Sequence, residues 1–260
     1  MARKRTERLL VTRVAQGDRR RRPDELIVEE PMTIQLDGVT VATTMRTPGD
    51  DYELAVGFCV TEGLLAGAPV TGVRYCADGP AIESHFNVVT VETGGRAPAP
   101  TARLGPTSSS CGWCGREQLD DLLVRLRPLP PSDPIDEAVL AAMPSRILGG
   151  QSLFTRTGAV HAAAAFDRGG TVLLTREDVG RHNAVDKVVG ALALEGGLPA
   201  TGRALFVSGR ASVEMVQKAW AGGFGALVAV SAPTALAVRA ARAAGMTLVG
   251  FVRDDGYNVY

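Results

Sequence analysis

The chain has 260 residues, 45% of them hydrophobic, which is enough to bury one large core or two smaller ones. Its 28 Lys and Arg residues balance its 28 Asp and Glu residues, so the composition points to neither nucleic acid nor a membrane as a partner. No stretch approaches the roughly 18 apolar residues of a membrane span, and Leu9-Leu10-Val11 is too short for the core of a secretory signal. We therefore expect a cytoplasmic protein whose four cysteines are reduced and are not a disulfide framework.

The N-terminal end of the chain is strongly basic. Nine of the first 22 residues are Lys or Arg, and only Glu7 and Asp18 oppose them. An anionic partner would explain this run, but basic runs at chain ends are more often solvated and weakly ordered. We expect residues 1–25 to form a basic, partly disordered arm.

Residues 26–107 are predicted to form a small α+β domain. Asp37-Gly38 separates two strand-forming segments, and Asp-Gly supplies the positive φ angles of a type I′ hairpin turn. Asp50 or Asp51 can cap a helix that runs towards Gly63. The predicted strands are 33–36, 39–41, 73–76 and 86–91, and residues 94–110 are predicted to be a loop or connection.

Residues 108–260 are predicted to form an α/β domain that begins with a mobile loop. Apolar spacing predicts an amphipathic helix over 116–126, a short helix over 135–143 and a strand over 158–165. Strand–loop–helix units follow, and their strands are nearly all apolar, as in a parallel sheet covered on both faces. Ligands bind at the carboxyl ends of such strands, so the loops there are candidate binding sites. The predicted strands are 171–175, 204–208, 226–230 and 246–252, and the helices are 183–194, 212–221 and 234–244.

Cys111 and Cys114 form a Cys-x-x-Cys pair just before the helix predicted over 116–126. A helix N-terminus and a nearby cation, here Arg116, lower the pKa of a thiol and favour the nucleophilic thiolate. The pair therefore suits a sulfur nucleophile that attacks or carries an S–S bond.

Two other interpretations of the pair stay open from the residues alone. Half of a zinc site would need two more ligands, and Cys59 and Cys76 do not form a second Cys-x-x-Cys. Dithiol redox chemistry of the thioredoxin type usually has a strand before the motif, whereas a Pro- and Ser-containing loop precedes Cys111.

Three polar loops follow predicted strands in the C-terminal half. Residues 176–187 read Arg-Glu-Asp-Val-Gly-Arg-His-Asn-Ala-Val-Asp-Lys, and their bases, with the N–H groups of a helix start, could hold phosphates. A salt-bridged loop is the alternative interpretation. Ser208-Gly209-Arg210 is a small cationic loop, and in 253–256 carboxylates could bind a guanine edge while Arg253 meets phosphate. His161 is more typical of a hydrogen-bonded core residue than of a site, and His85 has no evident partner.

Together these motifs resemble the FdhD family of formate dehydrogenase accessory sulfurtransferases. The run at 176–183 is far more specific than any Cys-x-x-Cys, and the resemblance extends from about residue 30 to the end of the chain. The matching segments are 109–115, 158–163, 176–190, 208–210, 214–218 and 248–254.

The resemblance implies a sulfur carrier required for formate dehydrogenase activity. Such a carrier accepts persulfide sulfur from a cysteine desulfurase and passes it to the molybdenum of the bis-molybdopterin guanine dinucleotide cofactor, before that cofactor enters formate dehydrogenase. Cys111 matches the persulfide cysteine and Cys114 the second thiol. The resemblance also implies a homodimer. The positions that match the segment binding the cofactor and its guanine nucleotide moiety are Phe251, Val252, Arg253, Asp254, Asp255 and Gly256.

The resemblance further implies a C-terminal domain with the αβα sandwich of cytidine deaminases, next to a smaller N-terminal α+β domain. Deaminases bind zinc through His-x-Glu followed by Pro-Cys-x-x-Cys. Here the Cys-x-x-Cys precedes His161, and Ala163 stands at the position of the glutamate. We therefore expect neither deamination nor a metal site. A cofactor-binding chaperone that handles no sulfur, and a dithiol redox protein, are the alternative functions.

Overall fold

The computed structural model describes residues 3–76, 86–99, 127–131 and 133–260. Within them the chain forms a mixed α/β fold with three β-sheets, which confirms the predicted fold class. Cys111, Cys114, His85 and the helix predicted over 116–126 lie outside the described residues. So does the predicted domain boundary after residue 107, which stays a prediction. No helix in the described ranges is long and apolar enough to cross a membrane.

The helices and strands that the sequence predicts within the described ranges occur in the predicted order, with bounds that differ by a few residues. The structure adds two strands in the N-terminal arm and a short helix over Ser152–Thr157. The strands are β1 (Thr6–Ala15), β2 (Asp18–Ile27), β3 (Glu30–Leu36), β4 (Val39–Arg46), β5 (Gly72–Tyr75), β6 (Val88–Glu92), β7 (His161–Asp167), β8 (Val172–Asp178), β9 (Arg203–Val207), β10 (Ala226–Ala229), β11 (Thr247–Arg253) and β12 (Gly256–Val259). The helices are α1 (Asp51–Thr61), α2 (Glu137–Leu148), α3 (Ser152–Thr157), α4 (Arg181–Leu194), α5 (Val213–Ala221) and α6 (Ala235–Ala244).

The N-terminal arm differs from the sequence-based expectation of partial disorder. Strands β1 and β2 pair in antiparallel register from Thr6 opposite Ile27 to Ala15 opposite Asp18. Gln16 and Gly17 make the turn with φ angles of 51° and 85°, the left-handed pair that a type I′ hairpin requires. The sequence did not indicate this hairpin for two reasons. The charged run in β2 looks like a solvated segment, and a hairpin with both faces exposed does not need the apolar alternation by which strands are recognised.

The predicted hairpin around Asp37-Gly38 is confirmed as part of a four-stranded sheet. The strand order is β4-β3-β6-β5, and β6 lies parallel to β3 while the other pairs are antiparallel. One face of this sheet packs on α1 through a core that includes Met32, Ile34, Leu54 and Val89. The small α+β unit thus has its own apolar core, as a half-buried antiparallel sheet covered by one helix should.

The C-terminal sheet has six strands in the order β12-β11-β10-β9-β7-β8. The prediction of a parallel sheet is correct only for β9, β10 and β11. Strand β7 runs antiparallel to both β8 and β9, and β12 runs antiparallel to β11. An apolar run such as 162–166 can form either a parallel or an antiparallel strand when both faces of the sheet are covered. The direction of the strand could therefore not be derived from its composition.

Helices cover both faces of the six-stranded sheet and confirm the predicted αβα sandwich. Helices α4, α5 and α6 pack on one face, where Val188, Trp220 and Leu227 lie in one core cluster. Helix α2 packs on the other face through Leu140, Met143 and Ile147.

The two α/β units meet where α1 crosses α4 at a pair of glycines. A Cβ atom on Gly57 would lie 1.8 Å from the carbonyl oxygen of Asp186, and one on Gly190 would lie 1.8 Å from the carbonyl oxygen of Glu53. Only glycine permits this approach, so the backbones of α1 and α4 are in direct contact. This close contact fixes α1 against the sheet that carries the candidate site.

Candidate functional site

The antiparallel direction of β7 brings its first residue to the edge of the sheet where β8, β9 and β11 end. His161 lies opposite Asp178 in the strand register. The N–H of Ser208 donates to the carbonyl oxygen of Ala162 at 2.9 Å, and the N–H of Ala162 donates to the Ser208 hydroxyl at 2.9 Å. The structure therefore places the His161 segment beside the Ser208 loop, although nothing in the sequence indicated that these two segments are neighbours.

A cavity of about 580 Å³ opens at this edge, and we call it the strand-end cavity. Its polar lining includes His161, Ser208 and Asp254, and its apolar lining includes Leu148 and Phe154. A concave site with apolar walls and a few convergent polar groups is typical of small-molecule binding. The cavity has room for a heteroaromatic ring with a polar edge.

His161 is half-buried in the wall of this cavity. Burial lowers the pKa of its imidazole, the positive charge of Arg181 lowers it further, and Asp178 acts in the opposite direction. The imidazole is therefore largely neutral at neutral pH and can accept a proton or a hydrogen bond. The sequence favoured a core role for His161, and the structure instead gives it a place in the cavity lining.

The charged residues of the loop 176–187 contribute more to the structure around the site than to contacts with a ligand. Lys187 is fully buried, and its ammonium lies 2.8 Å from the carboxylate of Asp178. The same carboxylate accepts bonds from the N–H of Thr47 at 3.1 Å, the N–H of Gly180 at 2.8 Å and the amide of Asn183 at 3.0 Å. The prediction that Lys187 meets phosphate is wrong, because the side chain is enclosed and paired within the protein.

Two other bases of this loop, Arg176 and His182, are also unsuited to hold a phosphate. The Arg176 guanidinium donates to Glu53 of α1 at 2.7 Å. Burial, followed by the charges of Lys218 and Arg181, lowers the pKa of His182 to about 4, so this imidazole is neutral near pH 7. The Arg176 guanidinium is therefore paired with α1, and the neutral His182 offers no positive charge to a phosphate.

Arg181 is the base of this loop that stays available. It begins α4, and its Nε atom is buried without a hydrogen-bond partner among the described residues. A guanidinium at a helix N-terminus, with an unsatisfied donor, is suited to an anionic group. Gly209 of the second loop approaches it closely, since a Cβ there would lie 4.0 Å from Cδ of Arg181.

The segment from Phe251 to Gly256 runs from β11 into the turn before β12. Phe251 is 45% exposed and has a positive φ of 57°, which is uncommon for an aromatic residue. Val252 is fully buried in the sheet core, so its side chain faces away from solvent. Arg253 donates to the carbonyl oxygen of Val252 at 2.8 Å and also to that of Val230.

Asp254 is the member of this segment that lines the strand-end cavity. Its carboxylate accepts a bond from the Ser145 hydroxyl at 2.9 Å. Asp255 and Gly256 are exposed in the turn. The structure therefore brings Asp254 together with His161 and Ser208, and it places Phe251 and Arg253 at the rim of the same sheet edge.

Sequence reasoning missed the wall of the cavity formed by α2 and α3. Helix α3 follows Gly149-Gly150 and lies between the helix predicted over 135–143 and the strand predicted over 158–165, where the sequence predicted no element. The buried carboxylate of Glu177 accepts bonds from the N–H groups of Leu153 at 2.9 Å and Phe154 at 2.7 Å, and so satisfies the start of α3 from a distant strand. No local capping residue could have signalled a helix that is capped across the fold.

The cysteines within the described ranges are buried. Burial raises the pKa of the Cys59 thiol to about 12, so this thiol is not a nucleophile at neutral pH. Cys76 is 7% exposed. The described ranges contain no group of three or more His, Cys, Asp or Glu side chains placed to hold a metal ion. The predicted nucleophiles Cys111 and Cys114 lie outside those ranges.

The sequence comparisons cover most or nearly all of this chain. The sequence model of the FdhD/NarQ family matches residues 27–260. A sulfur carrier protein FdhD of Mycolicibacterium paratuberculosis is 46% identical and covers 98% of this chain and 96% of its own length. The protein of the same name from Streptomyces avermitilis is 46% identical and covers 98% of this chain and 93% of its own length.

A solved structure is similar as well. The crystal structure of a formate dehydrogenase accessory protein from Desulfotalea psychrophila aligns with a TM-score of 0.77 over 98% of this chain and 96% of that chain. At 23% sequence identity, this likeness concerns the fold alone.

Proposed function

Because this chain belongs to the FdhD/NarQ family, we propose that it is a sulfur carrier required for formate dehydrogenase activity. The observation that carries the proposal is the near full-length similarity to relatives named sulfur carrier protein, together with the Cys111/Cys114 pair in this sequence. The proposed donor is a cysteine desulfurase, and the proposed acceptor is the molybdenum bis-molybdopterin guanine dinucleotide cofactor.

The first proposed step loads Cys111. Its thiolate attacks the terminal sulfur of the desulfurase persulfide, a new S–S bond forms at Cys111, and the desulfurase cysteine leaves as a thiolate. Arg116 and the helix predicted after Cys114 favour the attacking thiolate by their positive charge. The step exchanges one S–S bond for another and needs no further oxidant.

The second proposed step releases the sulfur with the help of Cys114. The Cys114 thiolate attacks Sγ of Cys111, a Cys111–Cys114 disulfide forms, and the terminal sulfur leaves as hydrosulfide for the molybdenum of the bound substrate. The two thiols supply the two electrons that the hydrosulfide carries. A cellular dithiol reduces the disulfide before the next cycle, which fits the reducing conditions of the cytoplasm, where we place the protein.

We further propose that the strand-end cavity holds the nucleotide part of the cofactor. Arg181, whose charge acts on His161 in the cavity lining, has an unsatisfied Nε donor for a phosphate oxygen, and Asp254 in that lining offers a carboxylate for a guanine edge. The exposed ring of Phe251 can stack on a heteroaromatic ring. Formate dehydrogenase and the desulfurase are the proposed protein partners, and a homodimer is the proposed assembly.

Mass spectrometry tests the loading step. After incubation with a cysteine desulfurase and free cysteine, the peptide that contains Cys111 should gain the mass of one sulfur atom. Cys114→Ala should still accept that sulfur, while Cys111→Ala should not. Equal labelling of Cys111→Ala, or no added sulfur on Cys111, would contradict the carrier role.

Complementation separates the carrier from the two alternative functions. A chaperone that handles no sulfur predicts active formate dehydrogenase in cells that contain only the Cys111→Ala/Cys114→Ala protein. A dithiol redox protein predicts that both single variants fail while Cys111 never carries persulfide. A zinc assay on the purified protein tests the remaining interpretation of the Cys-x-x-Cys pair.

A further inference from the structure

We propose that the hairpin of β1 and β2, here called the basic hairpin, binds an extended acidic segment of a partner protein along the outer edge of β2. The family model matches residues 27–260, so the hairpin, which ends at Ile27, lies almost wholly outside the residues that this model matches. The proposal is independent of the sulfur-transfer chemistry above.

Among the described residues, the hydrogen bonds and ion pairs between the basic hairpin and the rest of the protein lie near its base. Arg156 of α3 contacts Glu25 in an ion pair and donates to the Thr6 hydroxyl at 3.0 Å, and Arg5 lies 3.6 Å from Asp50. Residues 12–23 are all exposed. A two-stranded hairpin is marginally stable by itself in water, so a hairpin that projects this far gains stability from a partner on its outer part.

The charge on β2 is arranged on both faces of the hairpin. Arg19, Arg20, Arg21 and Arg22 are consecutive, and successive residues of a strand point to opposite faces. The register places Arg13 directly opposite Arg20. Like charges in directly opposite positions destabilise a hairpin, so the arrangement calls for a balancing anion.

The arginines of the basic hairpin have few ion-pair partners among the described residues. Arg20 pairs with Asp18 at 2.6 Å. Arg13, Arg19, Arg21 and Arg22 form no ion pair with any of the described residues, and all are exposed. The hairpin therefore presents arginine on each of its faces to a molecule outside the described chain.

The edge of β2 offers a strand-pairing surface beside this charge. The sheet contains only β1 and β2, so the outer edge of β2 is unpaired within the described ranges. In a hairpin with a two-residue turn, the closing pair Ala15 and Asp18 is hydrogen-bonded, so Arg19 and Arg21 direct their backbone N–H and C=O groups outwards. A strand added there would place its side chains next to arginines on both faces. Consecutive Asp or Glu residues complement that pattern.

The composition of the hairpin favours a protein partner over a nucleic acid. Its two strands contain no aromatic residue on which a base could stack, and Leu9, Leu10 and Val14 are exposed among the charges. Arginine beside aliphatic side chains is typical of protein interfaces.

Fluorescence anisotropy with a labelled peptide of about eight consecutive glutamates, an ordinary strand length, tests the proposal on the full chain in about 0.15 M salt. The variant Arg19→Glu/Arg21→Glu should weaken peptide binding at least about tenfold, because two attractive pairs become repulsive. The matched control Arg239→Glu/Arg242→Glu makes the same charge change on exposed positions of α6 and should change binding less than about twofold.

Amide hydrogen exchange distinguishes strand pairing from loose attraction. Bound peptide should slow exchange at Arg19 and Arg21, whose N–H groups point outwards, and the thermal midpoint of each variant verifies that the body of the protein is folded. Equal weakening by the α6 control, or binding without slower exchange at those two residues, overturns the proposal. Tighter binding of a single-stranded RNA of similar charge than of the peptide also overturns it.

Discussion

The helix contact between α1 and α4 differs from the strand-end cavity in how its charged side chains are paired. At the helix contact, Lys218 lies 2.9 Å from both carboxylate oxygens of Asp186 and donates to the Thr61 hydroxyl at 2.9 Å. Next to the cavity, Arg181 acts electrostatically on His161, and its buried Nε atom has no hydrogen-bond partner among the described residues. Enclosed and fully paired charges hold the two units together, whereas Arg181 has a donor that no described residue satisfies.

The two regions share one stretch of sequence. Residues 176–187 contribute Lys187, Asp178 and Asp186 to buried pairs, and they also contribute Arg181, whose charge acts on His161 in the cavity lining. Substitutions on the buried side should therefore reduce stability, and substitutions on the cavity side should reduce ligand binding with little effect on folding.

The largest loss of stability is expected from Asp178→Ala. The change leaves the Lys187 ammonium buried without its carboxylate and removes the acceptor of three further donors. Breaking a buried pair in this way costs about 3–5 kcal/mol. Urea unfolding measures the loss, and Asp255→Ala, in an exposed turn, is the control that should stay within about 0.5 kcal/mol of the parent.

Gly190→Ala should destabilise the protein by about 3 kcal/mol, because the new Cβ would overlap the carbonyl oxygen of Glu53 and force α1 and α4 apart. Gly256→Ala adds the same methyl group where nothing lies within 4 Å and should be nearly neutral. Similar thermal midpoints for the two variants would show that the helix contact tolerates separation.

Stability should fall with acidification through the titration of His182. Its pKa is about 4 in the folded protein, below the ordinary 6.5, so the unfolded chain binds a proton first as the pH falls from 6.5 to 4. The contribution is fully present above pH 6.5 and decreases by roughly 3 kcal/mol across that window. His182→Asn should flatten this part of the pH profile of unfolding, and an unchanged slope would contradict the assignment.

The smallest expected stability effect belongs to the cavity side. Glu177→Gln weakens the acceptor for the N–H groups of Leu153 and Phe154 and should cost about 1 kcal/mol. Because Phe154 lines the cavity, the variant should weaken binding of guanosine diphosphate more clearly than it lowers the thermal midpoint. Calorimetric titration measures the binding, and thermal unfolding measures the stability. A large loss of stability with unchanged binding would show that Glu177 supports the fold and not the cavity.

Much of the fold was accessible from local patterns. The Asp37-Gly38 hairpin, the start of α1 after Asp50 and the alternation of strands with α4, α5 and α6 follow from turn chemistry and apolar spacing, which act over a few residues. The direction of β7 and the capping of α3 by Glu177 were not accessible, because both depend on residues that are distant in sequence.

The candidate site was predicted in part. The sequence identified the polar loops at strand ends, and the structure brings Asp254, Ser208 and His161 into one cavity lining. The sequence left two interpretations of Lys187 and Arg176, phosphate binding or salt bridges, and the structure supports salt bridges by giving both residues buried or half-buried carboxylate partners. Whether a base pairs inside the protein or faces a ligand depends on which carboxylate lies opposite, and that partner can come from anywhere in the chain.

The sequence by itself determined the family, the order of the helices and strands and the pair of candidate thiols, because these depend on residue identity and short-range spacing. The tertiary structure alone decided which charges are enclosed, where His161 lies and why Gly57 and Gly190 must be glycine. The physical reason is distance. A buried ion pair, a helix crossing and a cavity wall each join atoms from separate segments, and their energies exist only after those segments have packed.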